Sequence, residues 1–346
     1  MAPLPLTILV ASLAMGTTIT LSSHHWIMAW LGLEINTLAV IPLMLEAPHP
    51  RAIEAATKYF LTQAAASAIV LFMVLVNAQF TGEWAIPLTN DNVALPMSIA
   101  LFMKLGLAPL HFWLPEVMQG IPLLPGLILS TWQKIAPLYI LTQMSQSLNL
   151  SLMLVVGLTS ILVGGWGGMN QTQLRKIMAY SSIGHLGWFI IILKFDHKLA
   201  MLNLIVYIIV TTAIFLQLMF TSSTTIATLS TMWSKSAPAA TSTMLVLLSM
   251  GGLPLLSGFT PKFLILKELV KYEMYFLAFL MLLFALYSLF FYIRLSYFLS
   301  LIMPPNPAHA PLWWRLSNKS SYLSGPATAL ALLLLPITPV LLMISW

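Results

Sequence analysis

Apolar runs of about twenty residues, separated by short polar turns, recur from one end of the chain to the other. A run of that length crosses the hydrocarbon core of a bilayer as an α-helix. The pattern predicts eleven spans, near 2–22, 24–45, 52–78, 94–120, 123–145, 150–169, 174–195, 199–221, 239–271, 274–302 and 323–345. Turn residues mark the joints, among them Ala47-Pro48-His49-Pro50, Thr89-Asn90-Asp91-Asn92 and Met303-Pro304-Pro305-Asn306-Pro307. Pro50 suits the first turn of a helix, where its missing N–H is harmless. The longest polar connections, near 79–93, 221–238 and 303–321, leave no room for a sizeable soluble domain. The expected fold class is an all-α polytopic membrane protein, a single membrane domain over residues 1–346.

Two runs differ from the others. One reads Phe102-Met-Lys-Leu-Gly-Leu-Ala-Pro-Leu-His-Phe-Trp-Leu-Pro-Glu116, the other Leu248-Ser-Met-Gly-Gly-Leu-Pro-Leu-Leu-Ser-Gly-Phe-Thr-Pro-Lys262. Each carries Gly and then Pro in mid-run, with a second Pro beyond. Proline removes a backbone donor and clashes with the preceding turn. Both runs are therefore expected to be broken helices, at Gly106 and Pro109 in one and at Gly252 and Pro254 in the other. Carbonyls freed there must be satisfied by protein or by cavity water. An ordinary proline kink is the plainer reading of either run taken alone.

The two layouts correspond. Pro109 and Pro254 lie 145 positions apart, Pro115 and Pro261 lie 146 apart, and Ile27-Met28-Ala29 recurs as Ile177-Met178-Ala179 after 150. These matches pair span two with seven and span four with nine. An offset of five spans is odd and turns the second copy upside down. The expectation is two inverted five-helix repeats, residues 1–148 and 149–303, then a loop and C-terminal helix over 304–346. Paired broken helices in inverted repeats point to a transport site at the bilayer midplane.

Composition makes the charges informative. Charged residues are 7% of the chain, against roughly 25% in soluble proteins. A charge near the bilayer centre costs on the order of 2.5–3.5 kcal/mol on insertion scales, so one retained there is a functional candidate. Glu34, Lys104, Lys134 and Lys262 all fall inside apolar runs. Lysine suits proton carriage better than arginine, which stays charged. The set suggests a path for a small cation, the proton, although structural ion pairs or snorkelling side chains use the same residues. His111 and His185 also fall in apolar runs, as hydrogen-bonded packing residues or as relay members. His111 follows Lys104 by about two helical turns, on roughly the same face if the break does not rotate it. His24, His25, Glu116 and Arg294 lie near span ends and read as interfacial.

Other features narrow the function. The net charge of +6 is scattered, with no basic stripe that would bind nucleic acid. Cysteine is absent, which excludes disulfides, cysteine-held iron–sulfur clusters and thiolate-ligated haem. No complete G-x-G-x-x-G, Walker loop or H-E-x-x-H is found, so no cofactor or metal is expected on this chain. The cluster Gly164-Gly165-Trp166-Gly167-Gly168 suits close helix packing. No basic leader precedes the first run, which is expected to be a retained helix. An inside N-terminus collects Arg51, Lys58, Arg175, Lys176, Lys235, Arg315 and Lys319 on the inside, against Lys194, Lys198, Lys267 and Lys271 outside, as the positive-inside rule prefers.

Three segments carry a family resemblance: Lys104 to Glu116, Gln173-Leu-Arg-Lys-Ile-Met-Ala-Tyr-Ser-Ser-Ile-Gly-His-Leu-Gly187, and Gly251 to Lys262. They resemble the antiporter-like, proton-pumping subunits of respiratory NADH:ubiquinone oxidoreductase (complex I), in the vertebrate mitochondrial form. The likeness covers essentially the whole chain. It implies a mitochondrial inner-membrane location, a matrix-side N-terminus, and partners among the other membrane-arm subunits and the membrane lipids, cardiolipin included. NADH, FMN, iron–sulfur clusters and ubiquinone are then expected in partner subunits, with none bound by this chain. The resemblance implies Glu34 and Lys104 as the charge pair of one half-channel, Lys134 as the central lysine and Lys262 as the exit-side residue. Bacterial relatives carry fourteen spans, and the first three are missing here, which leaves the repeat intact. Two other readings use the same residues: a free-standing cation/proton antiporter, and a structural spacer whose charges fix helix register.

Overall fold

The structure, a computed structural model, describes residues 3–46, 49–301 and 323–344. The predicted turn at 303–307, with Arg315 and Lys319, lies outside the described residues. Among the described residues the regular structure is helical. Seven helices are long and apolar enough to cross a membrane. They are α1 (Pro3–Ser22), α2 (Trp26–Met44), α3 (Pro50–Thr81), α8 (Leu150–Met169), α9 (Leu174–Leu193), α10 (His197–Thr221) and α15 (Tyr275–Leu301). They correspond to predicted spans one, two, three, six, seven, eight and ten.

Each of the other four runs forms two shorter helices. Span four becomes α4 (Asp91–Leu105) and α5 (Trp113–Gly120), and span five becomes α6 (Leu123–Ser130) and α7 (Trp132–Gln143). After the short α11 (Ile226–Ser230) and α12 (Met232–Lys235), span nine becomes α13 (Ala237–Gly251) and α14 (Phe259–Lys271). The last run becomes α16 (Ser324–Leu333) and α17 (Thr338–Ile344), joined through a 3₁₀ turn at Leu335–Ile337 that contains Pro336.

Span five was expected to be continuous, and its division is a correction. Thr131 departs from regular helical geometry at φ −115, with ψ −68. Its amide and its hydroxyl both bond the Leu127 carbonyl, at 3.0 and 2.7 Å. Threonine back-bonding of this kind bends helices. Lys134 accordingly sits in the first turn of α7 rather than at the centre of a long helix.

The chain folds as two compact units, Met1–Ser160 and Ile161–Trp346. In the first, α2 packs against α1 and α3, and α3 against α4 and α5. The α1–α2 crossing is close because its contact residues are small. A Cβ on Gly32 would stand 2.5 Å from the Thr20 methyl and 2.7 Å from the Gly16 carbonyl. Small residues at such crossings are the usual way for membrane helices to approach. α3 ends at Gly82, whose φ of +70 suits a glycine cap.

In the second unit α9 is interior, with 78% of its most apolar stretch buried, whereas α15 buries 22%. α15 therefore turns Phe276, Phe279 and Phe290 outward, as a lipid-facing helix does. The glycine cluster of α8 meets its neighbours closely. A Cβ on Gly164 would lie 2.6 Å from the Gly184 amide nitrogen, and one on Gly167 would lie 2.3 Å from the Tyr180 ring. Each unit also has one isolated β-bridge at the start of a long helix, His25 with Ala85 and Gln173 with Thr225. The bonds Trp26 N–H to Trp84 O and Leu174 N–H to Thr224 O, both 3.0 Å, make the two bridges alike in detail.

Candidate functional site

The first break is built around Gly106. α4 ends at Leu105, and Gly106 adopts φ +76, a conformation that glycine takes without the steric cost of a side chain. Its N–H closes on Phe102 and Met103, and Leu107 N–H also bonds Phe102. The other freed carbonyls find side chains. Trp113 Nε1 donates to Met103 O at 3.0 Å, and Gln63 Nε2 donates to Lys104 O at 3.3 Å. Pro109 lies in the non-helical stretch before α5.

Lys104 occupies the last turn of α4, where a cation meets the negative end of the helix dipole. Its Nζ lies 3.8 Å from Glu34 Oε1 on α2, with side chains 2% and 25% exposed. At that distance the contact is an ion pair but not a hydrogen bond. Neither atom has another hydrogen-bond partner among the described residues. Lys134 is 3% exposed. Lys104 and Lys134 both line one cavity of about 20 Å³, together with Asn36, Tyr59, Gln63 and Gln133. That volume holds about one water molecule.

The second break is built around Gly252, with φ +83, at the end of α13. Lys262 lies beyond this break, in the first turns of α14. Its Nζ donates to Gly251 O at 2.9 Å and to Met250 O at 3.3 Å. The ammonium thereby caps the carbonyls that the break leaves open. Pro254 lies between the two helices. Two cavities of about 10 Å³ meet Lys262 and His185, one reaching Tyr180 and Tyr292, the other Asn203 and Tyr207. His185 stands 5.4 Å from the Tyr207 ring, and its carbonyl accepts from Asn203 Nδ2 at 3.5 Å.

The structure thus brings Glu34, Lys104 and Lys134 together in the first unit, and Lys262 and His185 together in the second. His111 stands apart from the first group. Because α4 stops at Leu105, two-turn spacing does not set His111 above Lys104. Its Nδ1 is 3.3 Å from Pro109 O, its ring packs on Phe112 at 4.2 Å, and it does not line the lysine cavity. Glu116 pairs with Lys58 at 2.7 Å, and Lys58 also pairs with Glu54 at 2.7 Å, all three well exposed. Arg294 donates to Met169 O at the end of α8.

A search for charges passes over the neutral amides Asn36, Gln63 and Gln133. Each is a polar residue on an apolar helix, and that is the signal that could have found them. Among the described residues no group of three or more metal-ligating side chains is present.

The family described as NADH:quinone oxidoreductase/Mrp antiporter, TM matches residues 23–288, and that described as NADH dehydrogenase subunit 2 C-terminus matches residues 289–342. The NADH-ubiquinone oxidoreductase chain 2 of Aquarana catesbeiana is 60% identical over 99% of this chain and 100% of that protein. The same chain of Xenopus laevis is 54% identical over 99% and 100%. A chain of respiratory complex I from Thermus thermophilus with bound aureothin has the same fold. It aligns with a TM-score of 0.86 and 23% identity over 99% of this chain and 80% of that one. The chain belongs to the NADH:quinone oxidoreductase/Mrp antiporter transmembrane family, in its NADH-ubiquinone oxidoreductase chain 2 branch.

Proposed function

We propose that this chain is a proton-translocating membrane-arm subunit of NADH:ubiquinone oxidoreductase, working through Glu34, Lys104, Lys134 and Lys262. Full-length likeness to chain 2 proteins supports membership of that enzyme. The observation that carries the relay is the single small cavity lined by both Lys104 and Lys134, with Glu34 at 3.8 Å from Lys104. Two ammonium groups on one low-dielectric cavity repel strongly. They need not be charged together, and the position of Glu34 decides which one is. A conformational change that opens or tightens the Glu34–Lys104 contact then moves charge between the lysines without any redox group on this chain. NADH oxidation and ubiquinone reduction, with the FMN and iron–sulfur centres, belong to partner subunits.

Lys262 serves the second unit as the exit-side lysine, with His185 beside it; His111 is the weaker relay member. The matched breaks, bridges and proline spacings support two copies of one five-span repeat, eleven spans in all with the C-terminal pair counted as one. The basic residues Arg51 and Lys58 support a matrix-side N-terminus in the mitochondrial inner membrane.

The test is Lys134→Met in the assembled enzyme, reconstituted in vesicles. The expected result is normal assembly with a lower proton yield per NADH; a normal yield would remove Lys134 from the path. The Mrp antiporter part of the family description motivates a second reading, free-standing cation/proton exchange. Sodium-for-proton exchange by the purified single chain would favour that reading, and its absence favours the subunit.

A further inference from the structure

We infer that Asn36 is a positioning residue of the proton path: its side-chain amide holds the water that joins Lys104 to Lys134. The inference rests on the relay reading above and goes beyond it to a residue that carries no charge. Asn36 is 2% exposed. Neither its Nδ2 nor its Oδ1 has a hydrogen-bond partner among the described residues. A buried amide in that condition calls for a water or an ion. Asn36 lines the cavity shared by the two lysines, whose volume of about 20 Å³ suits one water.

Three further features define the surroundings of Asn36. Its own carbonyl accepts from Gln133 Nε2 at 3.3 Å, which ties α2 to the residue just before Lys134. Gly16 on α1 leaves the amide its room, since a Cβ there would lie 2.4 Å from Oδ1. Gln63, on another wall of the cavity, is engaged with the Lys104 carbonyl.

The chemistry favours an amide at this place. It donates and accepts at once and does not titrate at any ordinary pH. It can therefore orient a water between two amines without taking either proton. In the transfer, the water takes a proton from the ammonium of one lysine and gives one of its own to the free amine of the other. One proton moves, and the water is regenerated. A carboxylate at position 36 would instead trap an ammonium.

The experiment compares Asn36→Leu, Asn36→Ala and Asn36→Ser in the assembled enzyme in vesicles, with Lys134→Met alongside. Leu and Ala should both lower the proton yield, while NADH oxidation with an uncoupler present is retained. The slowing of coupled turnover expected is roughly tenfold. Ser, which donates and accepts, should recover much of the yield. If Leu supports normal pumping while Lys134→Met does not, the role of Asn36 is overturned and the relay stands. If Ser is as poor as Leu and Ala, the residue acts by packing alone and the inference fails. Normal pumping by Lys134→Met would overturn the relay itself. An experimental map of the assembled enzyme should show a water within hydrogen-bond distance of the Asn36 amide. A dry cavity there would also overturn the inference.

Discussion

The two helix breaks solve the same backbone problem with lysines placed on opposite sides of it. At Gly106 the lysine precedes the break, and the freed carbonyls go to Trp113 and Gln63. Its ammonium is left to face a carboxylate at 3.8 Å and a cavity. At Gly252 the lysine follows the break, and its ammonium caps the carbonyls directly. The first lysine is held by one opposite charge on a separate helix. The second is held by fixed dipoles. In the proposed relay the switch lies at the first break, and Lys262 at the second gives up its proton only when α13 and α14 shift.

Removing the carboxylate partner at the first break should have the largest effect. Glu34→Gln strands the buried Lys104 ammonium, at a cost of about 3 kcal/mol. It should reduce the amount of assembled enzyme, and adding Lys104→Met should restore assembly but not pumping. Lys262→Met strands no opposite ion. It should assemble more normally, with a loss of about 1–3 kcal/mol from the uncapped carbonyls, measured by thermal unfolding of the enzyme. If Glu34→Gln assembles and pumps normally, the distinction between the two breaks is lost.

The glycines give a smaller contrast. Alanine at either position meets a positive φ that costs about 1–2 kcal/mol. At Gly252 the new methyl would also stand 3.0 Å from Lys262 Nζ, whereas at Gly106 it would meet Leu114 at 3.3 Å. Gly252→Ala should therefore lower pumping beyond its effect on stability, and Gly106→Ala should mainly lower the melting temperature. Equal ratios of pumping to stability in the two variants would count against a role for Lys262 geometry. Gln63→Leu should cost only about 1 kcal/mol, through the unpaired Lys104 carbonyl. Lys58→Ala, which breaks only exposed pairs, should change neither assembly nor proton yield, and it serves as the control.

Much of this was legible in the sequence, for reasons that differ by element. The breaks in spans four and nine announce themselves, because glycine and proline in mid-run leave the backbone little choice. The break in span five does not, because Thr131 makes it with a hydroxyl that is ordinary in any helix. The charged site residues are legible because each is costly in a bilayer. The amides beside them are not, since their meaning comes from convergence on one cavity. His111 shows the limit of helical spacing, which places a residue only while the helix continues, and Gly106 ends it.

α3 is longer than a bilayer core is thick. Its 32 residues make a rod of about 48 Å, and a hydrocarbon core is about 30 Å thick. Fitting the whole rod inside would need a tilt of about 51°, beyond the range of 0–40° that membrane helices show. Part of the rod therefore lies outside the hydrocarbon core, and the exposed charges Glu54 and Lys58, paired with Glu116, favour its first two turns as that part. A helix of this length limits how far the first unit can sink, because burying more of it would bring its charged turns into the hydrocarbon.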